Sequence, residues 1–289
     1  MMYSYCFAGE RFCFPQPFQE LASFRIDARA VGEATLFVSQ SFPENESLQI
    51  ISCANGWVGG AQRGVEIYAA SQGMLLKIEG GGEFFVSPHG ETIGKLGSKD
   101  ELSQIDREII LGPVLVLALA LRGVWSLHAS AVMTRDKVTA FLGESGLGKS
   151  TLAAYFSQNS GWRRVADDIL PTKMNGLKVM ALPHFPQLKL SMESQPWIGL
   201  PELLPLSFAC LLEPAEPDQN PELHRLSSTQ AVQALLSHAA GTRLFTPELL
   251  AKHLEFSVLA AQHIPTYRLI YPHRRDALPL VREMLESLC

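Results

Sequence analysis

Gly143-Glu144-Ser145-Gly146-Leu147-Gly148-Lys149-Ser150 fits the pattern G-x-x-x-x-G-K-[ST] at every fixed position, and Thr151 follows directly. Glycines at these places let backbone N–H groups turn inward around phosphate oxygens. A helix beginning at Lys149 would add the positive end of its dipole. In such a loop the lysine reaches the β and γ phosphates, and the hydroxyl of the last residue ligates Mg²⁺. The chemistry is that of a nucleotide, with ATP and Mg²⁺ as the expected ligands. Seventeen residues past Ser150, the run Arg164-Val165-Ala166-Asp167-Asp168 sets two adjacent carboxylates at the end of an expected strand. Successive strand residues point to opposite sides, so the pair cannot serve identically. One can orient Mg²⁺ or its water while the other accepts a proton from an incoming hydroxyl. Upstream, Leu127-His128-Ala129-Ser130-Ala131-Val132 puts His128 in an expected strand beside the loop strand. Alone, a strand histidine reads as a core residue; with the loop and the acid pair it reads as part of a site.

A phosphate loop works only between a strand and a helix, and Val138–Leu142 and Thr151–Phe156 supply the two patterns. Around them the sequence predicts a strand over Ser126–Met133, a turn at Arg135-Asp136 and a strand over Lys137–Leu142. A helix over Lys149–Gln158 and a strand over Arg164–Ala166 follow. Alternation of this kind implies a sheet covered by helices. Further on, helical patterns cover Thr229–Ala240, a segment starting at Thr246 with Pro247 first, and Asp276–Leu288, with a short strand over Thr266–Tyr271. Asp100–Leu121 also reads as helical. Residues 1–100 read as β-rich: polarity alternates over Ser23–Ala28, Glu33–Ser39 and Gly73–Glu79, and Asn55-Gly56 is a hairpin signal. That stretch holds no catalytic cluster, and His89, between Pro88 and Gly90, reads as a surface-loop residue. The expected organisation is a β-rich accessory or recognition domain over 1–100 and a catalytic domain over 101–289.

The 289 residues are 47% hydrophobic and 18% charged, which excludes a largely disordered chain. With 24 basic and 29 acidic residues the net charge is -5, a poor balance for nucleic acid or an anionic membrane. The longest apolar run, Ile109–Leu121, contains Gly112 and Pro113 and falls short of the ~20 residues a bilayer span needs. The opening MMYSYCFAGERFCF has no basic region leading into an apolar stretch, so no secretory signal is expected. Cys6, Cys13, Cys53, Cys210 and Cys289 are scattered and odd in number, which speaks against a disulfide framework or a zinc site. A soluble cytoplasmic protein is the simplest fit, and a homo-oligomer stays open.

Taken together, LHASAV, FLGESGLGKST and VADD resemble the catalytic domain of the HPr kinase/phosphorylase family, itself similar to the phosphoenolpyruvate carboxykinases. The resemblance is good over about residues 110–190 and loose beyond. It implies an α/β (α+β) fold with a mixed sheet rather than a regular doubly wound one, preceded by the β-rich N-terminal domain. It also implies that Lys149 and Ser150 bind phosphate and metal, and that Asp167 and Asp168 flank the transferred group. The resemblance leaves open which acid is the general base; Asp168 is our choice, with Asp167 a metal ligand alongside Ser150 and beside His128, which tunes that carboxylate or holds the acceptor's phosphate. The chain departs from the family after the acid pair. Ala181-Leu182-Pro183-His184-Phe185-Pro186-Gln187-Leu188-Lys189-Leu190 stands where the bifunctional enzymes carry a glycine-rich signature with a metal-binding Glu. That points away from phosphorylase activity and from HPr as acceptor. It points toward the HPr-kinase-like branch of peptide modification, such as the lasso-peptide kinases, whose acceptor is a serine of a precursor peptide.

Two other functions compete: a kinase of a small-molecule hydroxyl on the same core, and a non-catalytic nucleotide-binding regulator. The regulator is the weaker, because Lys149, Ser150, Asp167 and Asp168 are all intact. A transport-type ATPase is rejected, since Leu226-Ser227-Ser228-Thr229-Gln230 lacks the glycines of the LSGGQ signature. Lys189, Arg243, Arg268, Arg274 and Arg275 are candidate anion-holding residues, each read first as a solvated surface charge. His184, between prolines, could line a cleft or sit in a loop.

Overall fold

The computed structural model describes residues 2–27, 36–39, 48–58, 60–97, 102–159, 161–190 and 199–288. The chain divides into two compact units, Met1–Val124 with Gly241–Leu250, and Trp125–Ala240 with Ala251–Cys289. The first unit is β-rich and the second mixes sheet and helix, so the chain is a mixed α/β protein with a β-rich N-terminal part. Among the described residues no helix is long and apolar enough to cross a membrane.

Among the described residues the N-terminal sheet has nine strands. Their order is Arg25–Ile26, Tyr3–Phe7, Glu10–Phe14, Leu36–Ser39, Thr92–Lys95, Gly82–Val86, Gly73–Ile78, Ala61–Ala70 and Gln49–Val58. Its core begins with a hairpin of aromatics, Phe7 stacked on Phe12 at 4.0 Å between ring centres, with both rings fully buried. Burying a phenylalanine is worth roughly 1.5–3 kcal/mol. The Asn55-Gly56 signal is not the turn. Both residues lie inside Gln49–Val58, paired with Gly64 and Arg63, and the chain reverses between Val58 and Ala61. Gly60, just before Ala61, has φ +74°, a conformation that glycine takes readily. The Ser23–Ala28 alternation shrinks to the strand Arg25–Ile26, because Gln19–Phe24 winds into a 3₁₀ turn. Ala28, Glu33–Thr35, Asp100 and Glu101 lie outside the described residues.

The N-terminal unit runs past residue 100 because the helical stretch packs on its sheet. A Cβ on Gly81 would come within 2.5 Å of Ile109 Cδ1, and one on Gly90 within 2.2 Å of the Ala118 carbonyl oxygen. Gln104–Ile109 and Leu115–Leu121 are α-helical, and the wide turn Ile110–Val114 between them contains Pro113. Proline removes a helical hydrogen bond and clashes with the preceding turn, which accounts for the break.

The second unit is built on a mixed sheet in the order Trp125–His128, Ile169–Asn175, Lys178–Ala181, Leu204–Pro214, Lys137–Leu142, Ser130–Thr134, Arg163–Ala166. Lys137–Leu142 and Thr266–Tyr271 both run parallel to Leu204–Pro214, and the other pairings are antiparallel. The Arg135-Asp136 turn has φ +48° and +58°, the geometry of a tight hairpin. Helices Lys149–Ser157 and Leu278–Glu286 share one core with the sheet, through Leu152, Phe156, Phe141, Leu212 and Val281. The single strand expected over Ser126–Met133 is two strands, broken at Ala129. The first pairs with Ile169–Asn175, the second with Lys137–Leu142 and Arg163–Ala166. The segment paired with them breaks too, at Asp167-Asp168, between Arg163–Ala166 and Ile169–Asn175. The two ends of the strand order are therefore joined by chain at residue 129 and at residues 167–168.

A buried carboxylate with a lysine partner anchors the N-terminal unit. Asp106 is buried at the start of helix Gln104–Ile109, bonded by Lys95 Nζ (2.6 Å) and by the Ser103 N–H and hydroxyl (2.8 Å each). Burial pushes the Asp106 carboxyl up, but the Lys95 and Ser103 donors outweigh it and hold the group below its usual range. Such a shift stabilises the fold above the unfolded carboxyl value of ~3.9, and the gain is lost as pH falls through the folded value. Asp106→Asn is expected to cost about 2 kcal/mol at neutral pH, with part of the buried-pair cost discounted for a partly exposed Lys95. In melts of wild type and variant, the gap should close progressively below about pH 4; a gap that stays constant down to pH 2 would refute the ion-pair assignment.

Candidate active site

Strand Lys137–Leu142 ends at the glycine loop, and helix Lys149–Ser157 begins where the loop ends. Gly146 and Gly148 have φ +89° and +84°, a region that side chains with a Cβ enter only under strain. A Cβ on Gly146 would meet nothing within 4 Å, so the loop is open on that side. A Cβ on Gly148 would stand 2.3 Å from the Tyr271 hydroxyl. That hydroxyl donates to the Leu147 carbonyl (3.0 Å), and burial pushes its pKa up to about 12, so it acts as a fixed donor under the loop. Lys149 is buried and its Nζ donates to the Gly143 and Glu144 carbonyls (2.7 and 3.0 Å). Burial pushes the ammonium's pKa down, against the charges of Asp168 and Glu144. An ammonium bonded here to carbonyl dipoles, at the start of a helix, is a fitting place for phosphate oxygens. Glu144, Ser145, Ser150 and Thr151 are exposed on the loop and first turn.

The strand breaks bring the remaining groups together. The Ala129 N–H donates to the Asp168 carbonyl (3.0 Å) across the gap, and His128 pairs with Ile169. A bulge precedes the acid pair: Ala131 opposes Ala166 but Val132 opposes Arg164, leaving Val165 without a partner. Bulges re-aim the residues after them. The Ser130 hydroxyl donates to the Asp167 carbonyl (2.6 Å), and the Ser150 hydroxyl reaches the same oxygen (3.4 Å). The Asp168 carboxylate lies 2.7 Å from Lys189 Nζ and 3.2 Å from His128 Nε2. Burial works to raise the Asp168 pKa, and bonds from His128 and Lys189 overcome it, bringing the group to about 2. The Asp167 carboxylate is buried and meets Arg164 at 3.4 Å.

His128 thus stands beside Asp168, not beside Asp167. The reason is the register: residue 128 pairs with 169 and residue 129 bonds 168, so the histidine faces the second acid. Of the five expected anion-holders only Lys189 is placed at the acid pair. Arg268 pairs with Glu213, Arg274 with Asp276, and Arg243 donates to the Asn55 carbonyl within the N-terminal unit. His184 bonds the Leu200 carbonyl (2.8 Å), and His89 is exposed in a turn. Three residues at the site have no signal in the loop motif. Gln187 bonds the backbone of the acid pair. Tyr271 props the loop. His238 accepts the His128 backbone N–H on its carbonyl (2.7 Å). Burial pushes the His238 ring pKa down, opposed by Glu144 and reinforced by Lys149 and His128, which places the ring within electrostatic reach of the loop.

No protein-family model matches the sequence, and no curated protein matches it. Among solved structures, the chain matches the HPr(Ser) kinase/phosphatase from Coxiella burnetii over 56% of this chain and 88% of that one, at 13% identity and a TM-score of 0.34. A likeness that distant carries no functional weight, and the site is read from its own residues.

The crowding at Gly148 is testable. Gly148→Ala should weaken binding of a fluorescent ATP analogue at least about tenfold, from backbone strain plus the clash with Tyr271. In a Tyr271→Phe background the clash disappears and only the strain remains, so the same substitution should cost measurably less. Equal losses in the two backgrounds would show that the hydroxyl does not limit the loop.

Proposed function

We propose that the chain binds ATP with Mg²⁺ at the glycine loop and transfers the terminal phosphate to a hydroxyl, a serine first among them, of a peptide or protein acceptor in the cytoplasm. Asp168 is the general base. The observation that carries this reading is the meeting of loop and acid pair: the Ser150 hydroxyl reaches the Asp167 carbonyl, and the next residue holds an ionised carboxylate between the Lys189 ammonium and the His128 ring. A pure nucleotide-binding regulator needs the loop but not that carboxylate. Lys149 and the loop N–H groups would hold the phosphates. Among the described residues no group of three or more His, Cys, Asp or Glu side chains could hold a metal alone. An ion at Ser150 would thus share its shell with phosphate oxygens and water, as Mg²⁺ prefers. Asp167 would join that shell by exchanging its Arg164 contact. When bound, the ion would neutralise charge that gathers on the phosphates.

A peptide acceptor is favoured by the N-terminal sheet. Its ten-residue terminal strand, Gln49–Val58, has a strand neighbour on one side only among the described residues; Arg243 takes its Asn55 carbonyl, and the remainder of such an edge can add an extended chain. The class of acceptor this suits is that of the HPr-kinase-like serine kinases of peptide modification, acting on a ribosomal precursor peptide.

The test follows label from γ-phosphate-labelled Mg-ATP into a size-fractionated host extract. Label should enter a peptide or protein fraction. Lys149→Ala should abolish it, and Asp168→Asn should slow it by about 10²–10⁴-fold, the range of a lost general base. Label confined to the small-metabolite fraction would refute the peptide acceptor, and release of free phosphate alone would refute transfer.

A further inference from the structure

We propose that Gln187 is a positioning residue for the acid pair: its buried amide fixes the backbone of residues 167–169 so that the Asp168 carboxylate turns toward His128 and Lys189. The kinetic consequences rest on the phosphotransferase reading; the geometry does not. Gln187 is 2% exposed. Its Oε1 accepts from three successive backbone N–H groups, Asp167 and Asp168 at 3.0 Å and Ile169 at 3.4 Å. Its Nε2 donates to the Ile169 carbonyl (2.8 Å) and to the Phe185 carbonyl (3.3 Å). Consecutive N–H groups that converge on one point form a concave nest that ordinarily draws an anion. Here the nest lies at the break between Arg163–Ala166 and Ile169–Asn175, where those donors have left the ladder on one side and not yet joined it on the other.

The side chain that fills the nest must accept from three donors, donate to a carbonyl, and carry no charge next to two carboxylates. Glutamine meets all three demands. A glutamate would satisfy the same N–H groups but add a negative charge; a methionine would fill the volume and satisfy none. Lys189, two residues on, then closes on the Asp168 carboxylate from the same segment. The segment that departs from the family signature thus supplies both the backbone brace and a cationic partner for the proposed base. The Asp168 carboxylate is met by the His128 ring from strand Trp125–His128 and the Lys189 ammonium from the bracing segment, with the Lys149 charge of the loop helix in range.

The full chain carrying Gln187→Met or Gln187→Glu would be compared with wild type in three measurements: affinity for a fluorescent ATP analogue, amide hydrogen exchange at residues 167–169 by NMR of nitrogen-15-labelled protein, and kcat with KM for ATP. Gln187→Met removes the acceptor shared by the three N–H groups and should speed their exchange at least about tenfold. It should keep analogue affinity within about twofold and lower kcat about 10²-fold with KM for ATP nearly unchanged, the mark of a misplaced group rather than a lost ligand. Gln187→Glu keeps an acceptor in the nest and should retain the protection of the three amides. Exchange at 167–169 unchanged in folded Gln187→Met would overturn the proposal, as would equal falls in analogue affinity and kcat. If Gln187→Met fails to fold, Gln187→Asn, whose shorter side chain withdraws its amide from the nest, is read in the same way. If wild type transfers no phosphate, the kinase reading falls and the amide exchange still decides the role of Gln187.

Discussion

Backbone N–H and C=O groups buried at a strand break must find partners, and this constraint organises the second unit. Two segments of the chain leave one set of sheet partners for another, at Ala129 and at Asp167-Asp168. Each freed group is met by something specific: the Asp168 carbonyl by the Ala129 N–H, the Asp167 carbonyl by the Ser130 hydroxyl, and the donors of 167–169 by Gln187. An unpaired buried group costs about 1–3 kcal/mol, so the break would not be stable without these replacements. Because the replacements fix the backbone there, they also fix where the side chains of His128, Asp167 and Asp168 stand. Residues 238–240 complete the arrangement on the outer edge, where the Ala240 N–H bonds the Ser126 carbonyl and Leu127 bridges Ala239. The sheet's irregularity and the site are one feature.

Electrostatics then separates the two acids. Asp168 is partly shielded from water, which alone would favour its neutral form. Asp168 has two donors on one oxygen, His128 and Lys189, and attraction wins over burial. Asp167 instead has one looser contact, to Arg164. Adjacent carboxylates that meet different partners can take different roles, which two identical environments would forbid. Lys149 adds a buried positive charge within range of Asp168, so the loop and the acid pair stabilise one another's charged forms.

The sequence exposes those parts of this arrangement that are local. The loop, its flanking strand and helix, the Arg135-Asp136 turn and the strand Thr266–Tyr271 follow from short-range pattern and stand where expected. Leu204–Pro214 does not stand out, although it is the central parallel strand: it is apolar on both faces and starts beside Pro205, so it shows no alternation. Ile169–Asn175 carries Pro171 and loses its strand signal for the same reason a proline ends most ladders. Gln187, His238 and Tyr271 carry no motif, because each acts on residues far away in the chain and through backbone atoms, which leave no residue-type pattern at the other end. Asn55-Gly56 shows the opposite failure, a strong local signal absorbed into a strand whose chain reverses only between Val58 and Ala61.

A carboxylate with a pKa of about 2 is a weak base, and that bears directly on the proposed role of Asp168. General-base catalysis works best when the base's pKa is close to the working pH. Phosphoryl transfer asks less than most reactions, because its loose transition state develops little bond to the attacking oxygen before the leaving bond has largely broken. The hydroxyl becomes strongly acidic only late, when even a weak base can take its proton. What Asp168 must supply early is placement and a negative charge that stays ionised at every physiological pH, and the His128–Lys189 clamp secures both. Lys189 is the more exposed of the two partners, and an incoming phosphate is a stronger attraction for an ammonium than a single carboxylate. If Lys189 turns to the phosphate as substrate binds, Asp168 loses part of what depresses its pKa, and its basicity rises when the hydroxyl arrives.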